Sequence, residues 1–264
     1  TGIDAAEQTL FIVPERLVEL QAELESWRYL KSCNKKKLQS LIGKLQFVGN
    51  CIRSSRIFIS RLLNLLQGME ENKFYQVGEE HRKDIQWWNN NLVKFNHVSP
   101  LWLLDFTTPD EILASDACLT AMGACMDKQM IQAVFPPEVM EQTYHIGQRE
   151  LLAIVVALKC WKGKLTNKRF FFLCDNESAA IVINSGKTKD SYMLKCLREI
   201  AYLGATHNFW VKAQHIPGIT NRIPDVLSRS HSSPKHKQEL DNIMSQGHYL
   251  LPFDSNWFNF ISVW

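Results

Sequence analysis

Residues 148–186 read QRELLAIVVALKCWKGKLTNKRFFFLCDNESAAIVINSG. This stretch predicts a helix, a loop, a strand and a second helix, in that order. The apolar run at 151–158 is too long and too rich in Ala and Leu for a typical strand, so we predict a helix with much of its surface buried. Residues 170–174 form a short, continuous apolar run, as expected of a strand that is covered on both faces. Glu150 opens the helix and Asp175 follows the strand, where open α/β sheets usually carry their ligand sites.

The composition is that of an ordinary globular protein of one or two domains, since 45% of the 264 residues are hydrophobic. No apolar run is long enough to cross a bilayer and no signal peptide is present, so we expect no membrane partner. Most of the cysteines lie inside apolar segments, which suits reduced core thiols in an intracellular compartment, either the cytoplasm or the nucleus. The formal net charge of +3 permits a nucleic-acid partner without demanding one. The seven cysteines include no CxxC pair, which argues against a zinc site. Because the chain lacks an initiator Met, we expect a fragment of a longer polypeptide.

Residues 1–99 show the pattern of a small, mainly helical domain. A short strand is predicted at 9–13, followed by four helices. The first is 15–30 and the second is 35–48, with Asn34 as its N-cap. The third would be capped by Ser54 or Ser55, and the fourth is 79–95. The basic side chains of this domain, Lys35, Lys36, Lys37, Arg53 and Arg56, either contact phosphates or form a solvated face. The helical pattern alone indicates no function beyond a scaffold.

Residues 100–110 predict an extended linker, and after it the pattern changes to short strands. The predicted strands are 112–117, 121–126, 132–135, 170–174 and 209–214, with a helix at 190–203 and a last short helix that Asn221 would cap. Gly123, inside the second of these strands, predicts a close approach of another backbone. The order β-β-β-α-β-α-α-β-α predicts an α/β fold whose sheet has an antiparallel side and parallel crossovers.

Four acids, Asp116, Glu150, Asp175 and Asp225, each stand at the end of a strand or the beginning of a helix. In this element order those ends converge on one edge of the sheet, where the carboxylates would repel each other unless cations neutralise them. A cage of carboxylate oxygens suits Mg²⁺, with Mn²⁺ as a substitute, and two such ions about 4 Å apart suit phosphodiester cleavage. The competing interpretation is that each acid is a surface carboxylate or a helix cap.

Specific motifs in the second half of the chain surround these acids. They are SDA at 115–117 with Gly123, QRELLAI at 148–154, CDN at 174–176 and HIPGITNRIPDVLSR at 215–229. Together they resemble the ribonuclease H domain of retrotransposon reverse transcriptases, in particular the Ty3/gypsy and DIRS-like groups. The resemblance implies a mixed five-stranded sheet flanked by helices over 111–229. It extends to residues 1–99, which look like the thumb and connection region of those enzymes.

The resemblance implies a role for each matching acid. Asp116, Glu150 and Asp175 would ligate a pair of metal ions, and Asp225 would complete the site of the second ion. His215 has the spacing of the family's mobile histidine and would assist proton transfer or product release.

The resemblance also implies a substrate. Gln148, Arg149 and Asn176 border the acids and would contact the RNA strand through 2′-OH or phosphate groups. Asn221, the family's helix-capping asparagine, is counted with them as a nucleic-acid-binding residue. The implied activity is metal-dependent cleavage of the RNA strand of RNA–DNA hybrids, within a reverse transcriptase whose polymerase domain lies upstream in the same polyprotein.

The chain departs from the family pattern at several points. It has no YxDD aspartate pair, so we do not expect it to polymerise DNA. Residues 186–189 are too few for the basic handle helix of many cellular ribonucleases H. Substrate affinity would then come from the thumb-like helices or from basic side chains, namely Lys162, Lys164, Lys168, Arg169, Lys187 and Lys189. Pro224 replaces the family's usual small residue before Asp225 and could shift the last helix and the second metal site.

Two alternatives are open at the level of the sequence. One is a non-catalytic nucleic-acid-binding relic, or a domesticated scaffold, with the same fold. The other is a transposase or resolvase nuclease on that fold. The intact acids favour an enzyme over a relic, and the His215 register with the HIPG and LSR segments argues against the transposase.

The last part of the chain, residues 230–264, has two sections. SHSSPKHKQE at 230–239 is polar and basic, which suggests a linker. LLPFDSNWFNFISVW at 250–264 is rich in aromatic residues and either docks on the body of the protein or belongs to a following module.

Overall fold

The computed structural model describes residues 1–52, 55–96, 99–100 and 107–262. The chain forms two compact units, Thr1–Asp105 and Phe106–Val263, which we call the N-terminal and the C-terminal unit. Most of the predicted linker, residues 101–106, lies outside the described residues, as do Arg53 and Ser54. Among the helices of the described residues, none is long and apolar enough to cross a membrane.

Helices dominate the described part of the N-terminal unit, as predicted. They are α1 Pro14–Arg28, α2 Lys35–Val48, α3 Ser60–Gln67 and α4 Glu79–Asn91. Asn34 caps α2 as predicted, because its side chain accepts a hydrogen bond from the Lys37 backbone N–H at 2.9 Å. The short strands are β1 Gly2–Asp4, β2 Thr9–Phe11, β3 Ser32–Asn34, β4 Phe74–Gln76 and β5 Ser99–Pro100. Pro100 therefore belongs to a strand that pairs with β2 rather than to the predicted linker.

The N-terminal unit has a hydrophobic core of its own. Trp27 and Trp88 are fully buried, and the Trp88 indole N–H donates to the Phe58 carbonyl oxygen at 3.1 Å. The rings of Phe58 and Trp87 stack with 3.9 Å between their centroids. Phe58 lies in a 3₁₀ turn, Ser55–Ile59, which precedes α3 where the sequence predicted one continuous helix.

A mixed sheet flanked by helices forms the C-terminal unit, which confirms the predicted fold class. Its strands are β6 Glu111–Ala117, β7 Ala121–Met126, β8 Gln129–Val134, β9 Arg169–Cys174, β10 Trp210–His215 and β11 Tyr249–Leu250. They lie in the order β10-β9-β6-β7-β8-β11, with β6, β7 and β8 antiparallel and the other neighbours parallel. The prediction of five strands was wrong, since the described residues form a six-stranded sheet. Strand β11 has only two residues, too few for an alternating pattern to reveal it.

Helix α6 is the central helix of this unit. The helices are α5 Pro137–Met140, α6 Ile146–Trp161, α7 Glu177–Ser185, α8 Ser191–His207, α9 Arg222–Arg229 and α10 Pro234–Ser245. Residues 151–158 of α6 are at most 1% exposed, which confirms the predicted buried helix. Strand β9 is fully buried on one face, through Phe170, Phe172 and Cys174, while its alternate residues are only partly buried. The second face is less fully buried than predicted, because α9 and α10 pack beside β7 and β8.

Gly123 allows α9 to lie directly on the sheet. It pairs in register with Asp116 across β6 and β7, so both residues belong to the face on which α9 packs. A Cβ atom on Gly123 would lie 2.3 Å from the Leu227 Cβ and 2.7 Å from the Pro224 carbonyl oxygen. The predicted close approach is therefore confirmed, and it brings α9 against the strand that carries Asp116.

The segment after α9 is ordered into a helix and a strand, so the predicted linker was wrong. Leu240 and Ile243 of α10 join a buried cluster with Met130, Val226 and Leu227. Strand β11 then extends the sheet beside β8. The polar composition of this segment predicted a linker, because α10 packs on the protein through few apolar residues, chiefly Leu240 and Ile243.

The aromatic end docks on the C-terminal unit, which was one of the two predicted alternatives. Lys159 of α6 and Glu199 of α8 form an ion pair at 2.7 Å, with side chains 2% and 0% exposed. The Glu199 carboxylate accepts from the backbone N–H groups of Ile261 at 2.9 Å and Ser262 at 2.8 Å. The Lys159 ammonium donates to the Asn259 carbonyl oxygen. A buried ion pair needs such extra hydrogen bonds, and residues 259–262 supply them through their main chain.

Candidate metal centre

Acidic side chains from separate elements meet at one edge of the sheet. Asp116 lies near the end of β6, Asp175 directly follows β9 and Glu150 lies in the first half of α6. Because Ala114 pairs with Leu173 in the parallel register, the two aspartates two positions further on become neighbours on one face. One oxygen from each of the three carboxylates lies within 4.8 Å of the others. We call Asp116, Glu150 and Asp175 the acidic triad.

Burial disfavours the charged forms of Asp116 and Glu150. Asp116 and Glu150 are each 2% exposed. Burial, with the charge of Asp116, raises the pKa of Glu150 to about 9, although the Ala117 N–H donates to Glu150 Oε1 at 3.1 Å. Burial also raises the pKa of Asp116 to about 6, against the lowering effect of a hydrogen bond from Ser228. At neutral pH the triad therefore cannot hold all its negative charges unless a cation neutralises them.

The donor set of the triad fits a hard divalent cation. Carboxylate oxygens are the ligands that Mg²⁺ and Mn²⁺ prefer. Glu150 Oε2 is buried and has no hydrogen-bond partner among the described residues, so it is an acceptor that a cation can satisfy. Asp175 is only half-buried, which leaves one side of the triad accessible to further ligands such as water or a phosphate oxygen.

The triad should make the stability of the metal-free protein depend on pH. The pKa of Glu150 is raised from 4.5 to about 9 in the folded protein. The contribution of its neutral carboxyl group to the free energy of unfolding is therefore complete below pH 4.5 and is lost as the pH rises towards 9. We expect Glu150→Gln, which has no charge to bury, to raise the melting temperature in EDTA at about pH 8.5 by roughly 5 °C. At about pH 5.5 the gain should be smaller. Thermal melts of the wild type and the variant across this range measure the difference.

A matched control for this experiment is Glu141→Gln, which removes an exposed carboxylate outside the triad. Its effect on the melting temperature should be small and independent of pH. An equal gain in both variants, or a gain for Glu150→Gln that does not grow with pH, would contradict the burial of charge at Glu150.

Asp225, the fourth predicted ligand, lies apart from the triad. It stands in the first turn of α9, where its carboxylate accepts a hydrogen bond from Arg229 Nε at 2.5 Å. The same carboxylate lies 3.9 Å from His236 Nε2 on α10. Asp225 and Arg229 are four residues apart on α9, so their pairing keeps the Asp225 carboxylate along the surface of that helix. Asp225 is still near enough to contribute to the raised pKa of Asp116.

His215 ends β10 at the same edge of the sheet as the triad. It is exposed, and it pairs in register with Cys174, the residue before Asp175. The loop after His215 passes close to Asp175, because a Cβ atom on Gly218 would lie 3.1 Å from Asp175 Oδ2. His215 thus stands beside the strand end that carries Asp175, and its role in proton transfer stays a prediction.

Gln148 and Arg149 lie inside the protein, at 8% and 5% exposure. The Gln148 amide donates to Asp190 Oδ2 at 2.8 Å, which joins the beginnings of α6 and α8. The Arg149 guanidinium donates to backbone carbonyl oxygens, including that of Leu119 in the β6–β7 turn. Their contact with RNA stays a prediction, because in the structure the polar groups of both side chains bond to other parts of the protein. They instead hold the first turns of α6, and with them Glu150, against the neighbouring elements.

Asn176 and Asn221 both precede helices but make different contacts. Asn176 caps α7 by accepting from the Ala179 N–H at 3.0 Å, and it is half-buried beside the triad. Asn221 is 1% exposed and stands at the predicted N-cap position of α9, but its side chain makes no cap bond. Its amide donates instead to the Ser115 carbonyl oxygen at 2.8 Å. Asn221 therefore fastens the loop before α9 to β6, and of this pair only Asn176 is accessible to a ligand.

Ser228 contacts the triad although the sequence analysis did not single it out. It is fully buried, and its hydroxyl donates to Asp116 Oδ2 at 2.5 Å. The available signal was its spacing, since three residues after Asp225 is nearly one turn of α9. Serine hydroxyls in helices usually bond within their own helix, so this spacing did not predict a bond to a strand.

The predicted basic residues fall into two groups, one in the segment between α7 and α8 and the other around the start of β9. Lys187 and Lys189 are exposed in the segment between α7 and α8, next to Asp190 and hence beside the beginning of α6. The others, Lys162, Lys164, Lys168 and Arg169, lie around the start of β9, at the far end of that strand from Asp175. Lys168 is paired there with Glu111 at 2.5 Å.

No protein-family model and no curated protein sequence matches the chain. Among solved structures, ribonuclease H1 from the halophilic archaeon Halobacterium salinarum NRC-1 is 14% identical over 50% of this chain and 98% of that chain, with a TM-score of 0.37. A foamy viral protease-reverse transcriptase in complex with double-stranded DNA is 12% identical over 75% of this chain and 41% of that chain, with a TM-score of 0.31. A foamy viral protease-reverse transcriptase in complex with an RNA/DNA hybrid is 13% identical over 75% of this chain and 26% of that chain, with a TM-score of 0.29. The chain thus spans less than half the length of these viral chains.

Proposed function

We propose that the chain is a divalent-metal-dependent endonuclease that cleaves the RNA strand of RNA–DNA hybrids. The observation that carries the proposal is the acidic triad, whose oxygens lie within 4.8 Å of each other. Buried carboxylates this close are costly unless cations neutralise them, and Glu150 Oε2 has no other partner among the described residues. The choice of substrate rests on the sequence motifs around Asp116, Glu150, Asp175 and Asp225, which resemble those of retrotransposon ribonucleases H.

The triad would hold Mg²⁺ or Mn²⁺, which when bound activates a water nucleophile and stabilises the leaving oxygen of a phosphodiester. The protein's own contribution is to fix the carboxylates before the substrate arrives. The Ala117 N–H holds one oxygen of Glu150 and leaves the other to the site. The Ser228 hydroxyl does the same for Asp116. Fixed ligands reduce the reorganisation that the reaction would otherwise require.

Two further residues complete the proposed mechanism. Asp225 would leave its bond to Arg229 and complete the site of a second ion. His215, exposed at the end of β10, would carry a proton during departure of the product or assist its release. Both roles follow the family resemblance of residues 215–229.

We further propose that the chain belongs to a retroelement reverse transcriptase with its polymerase domain upstream. Residues 1–99 would be the thumb and connection domain and residues 100–110 a linker. Residues 111–229 would be the ribonuclease H domain, which the segment 230–262 extends.

The exposed lysines beside the triad should bind the phosphate backbone of the substrate. We expect the double variant Lys187→Ala/Lys189→Ala to bind a hybrid about tenfold more weakly at 0.1 M salt, because two phosphate contacts are lost. For the same reason the slope of log affinity against log salt should fall by about 2. Fluorescence anisotropy with a labelled hybrid, over a series of salt concentrations, measures both quantities.

The matched control is Lys162→Ala/Lys164→Ala, which removes the same charge at the far end of β9. Its affinity and salt slope should stay close to those of the wild type. Equal losses in the two double variants would mean that the substrate is held by net charge rather than by the surface beside the triad.

The proposed function is tested by cleavage of an RNA–DNA hybrid, an RNA duplex and a DNA duplex, each labelled on either strand. We expect cleavage of the RNA strand of the hybrid alone, with Mg²⁺ or Mn²⁺ and not with EDTA. Salt-sensitive binding without cleavage would favour the non-catalytic relic, and cleavage of the DNA duplex would favour the transposase or resolvase nuclease. Neither binding nor cleavage would contradict the proposal altogether.

A further inference from the structure

Helix α9 contacts the acidic triad through the side chain of Ser228, which is fully buried and which no ligand can reach. Ser228 is 0% exposed, and its hydroxyl donates to Asp116 Oδ2 at 2.5 Å. The same hydroxyl oxygen lies 3.0 Å from the Asp225 carbonyl oxygen of its own helix. The shorter of the two contacts is the one to the carboxylate, as expected for a hydrogen bond to a charged acceptor.

The position of Ser228 is fixed by contacts on both sides of it. Gly123 has no side chain, so the α9 backbone lies directly on β7 opposite Asp116; a Cβ atom there would be 2.8 Å from the Ser228 nitrogen. The loop before α9 is fastened by the bond from Asn221 to the Ser115 carbonyl oxygen at 2.8 Å. Consecutive residues of β6, Ser115 and Asp116, are therefore both held by the α9 segment.

We propose that Ser228 is a positioning residue that holds Asp116 in the orientation required for metal binding. Its hydroxyl occupies one carboxylate oxygen of Asp116, which leaves the other for a cation shared with Glu150 and Asp175. Partners that orient a metal ligand in this way typically change metal affinity by about 10- to 100-fold. The inference rests on the proposed function only in taking the triad as a metal centre, and it does not depend on the substrate.

A simpler interpretation is that the Ser228 hydroxyl only fastens α9 to the sheet. Ser230 provides the comparison within the same chain. It lies two residues further on, is 7% exposed, and its hydroxyl donates to Gln132 Oε1 on β8 at 2.7 Å. Loss of either hydroxyl removes a hydrogen bond from a buried serine at the end of α9 to the sheet, but only Ser228 is bonded to a carboxylate of the triad.

The experiment compares the full chain as wild type, Ser228→Ala, Ser230→Ala and Ser228→Thr, by Mn²⁺ titration calorimetry and thermal melts. We expect Ser228→Ala to bind Mn²⁺ at least about tenfold more weakly, while Ser230→Ala keeps the wild-type affinity. The two alanine variants should lose similar amounts of thermal stability without metal. Ser228→Thr, which keeps the hydroxyl, should recover most of the affinity, and in cleavage assays at limiting metal Ser228→Ala should lower kcat with little change in KM for the hybrid.

The outcomes separate this inference from the proposed function. Unchanged Mn²⁺ affinity in folded Ser228→Ala, or an equal loss in Ser230→Ala, would overturn the positioning role. A wild type that binds Mn²⁺ but cuts no hybrid would end the proposed function and leave the comparison of the serine variants valid. A wild type that binds no Mn²⁺ would overturn both.

Discussion

We expect Asp175→Asn to abolish the proposed metal-dependent cleavage of the RNA strand, with a loss of at least about 10³-fold in rate, or about 4 kcal/mol of transition-state stabilisation. The substitution removes a charge from the triad without changing the shape of the side chain. Asp175 is the half-buried member of the triad, so the fold should tolerate the change, and one source of the raised pKa values of Asp116 and Glu150 is removed. Cleavage of an end-labelled RNA strand in a hybrid, in Mg²⁺ and in Mn²⁺, measures the loss.

The control for this variant is Asp127→Asn. Asp127 is an exposed acid in the β7–β8 turn with φ of 51°, a left-handed conformation that asparagine adopts readily. It carries the same charge as Asp175 but lies at the other end of the strands, so its replacement should leave cleavage unchanged. Wild-type rates in Asp175→Asn, or equal losses in both variants, would show that the triad is not the site of the reaction.

Gly123→Ala should markedly destabilise the C-terminal unit. The added Cβ atom would lie 2.3 Å from the Leu227 Cβ, 2.7 Å from the Pro224 carbonyl oxygen and 2.8 Å from the Ser228 nitrogen. Two of these atoms belong to the backbone, so α9 must move as a whole. We expect a loss of about 2–3 kcal/mol in the free energy of unfolding and a melting temperature about 5–10 °C lower.

The displacement of α9 should also weaken metal binding, because it withdraws the Ser228 hydroxyl from Asp116. Gly163→Ala is the matched control, since a Cβ atom at Gly163 would meet nothing within 4 Å. It should change the free energy of unfolding by no more than about 0.5 kcal/mol. Thermal melts and Mn²⁺ titrations of both variants test this, and equal stability of the two would mean that α9 does not pack on β7 as described.

The parts of the fold that the sequence predicted are those with strong local patterns. The buried α6 and the strands β6, β7 and β9 carry long apolar runs or end at acids, and their order restricts the possible sheet topologies. Helix α10 and strand β11 were missed because they depend on partners. Leu240 and Ile243 are too few to distinguish a helix from a linker until Met130 of β8 is beside them.

The site was predictable to a similar degree. The convergence of Asp116, Glu150 and Asp175 follows from the positions of strand ends, which the element order already implies. The buried contacts of Gln148 and Asn221 could not be predicted, because their partners, Asp190 and the Ser115 carbonyl, are distant in sequence. The same holds for Asp225: its local pairing with Arg229 competes with the metal role that the family pattern suggests, and sequence alone does not rank the two.

The docked C-terminal segment has a consequence for how the C-terminal unit unfolds. Helix α10 packs with α9 on one face of the sheet, and β11 lies at the edge of the sheet. The main chain of residues 259–262 forms hydrogen bonds with both members of the ion pair between Lys159 of α6 and Glu199 of α8. The segment is thus attached at several places that belong to different elements. Its release would leave two buried charges without their hydrogen bonds, so it cannot fray in small steps as an ordinary chain terminus does. The segment should therefore open together with α6, which carries Glu150, and α8, as one cooperative unit.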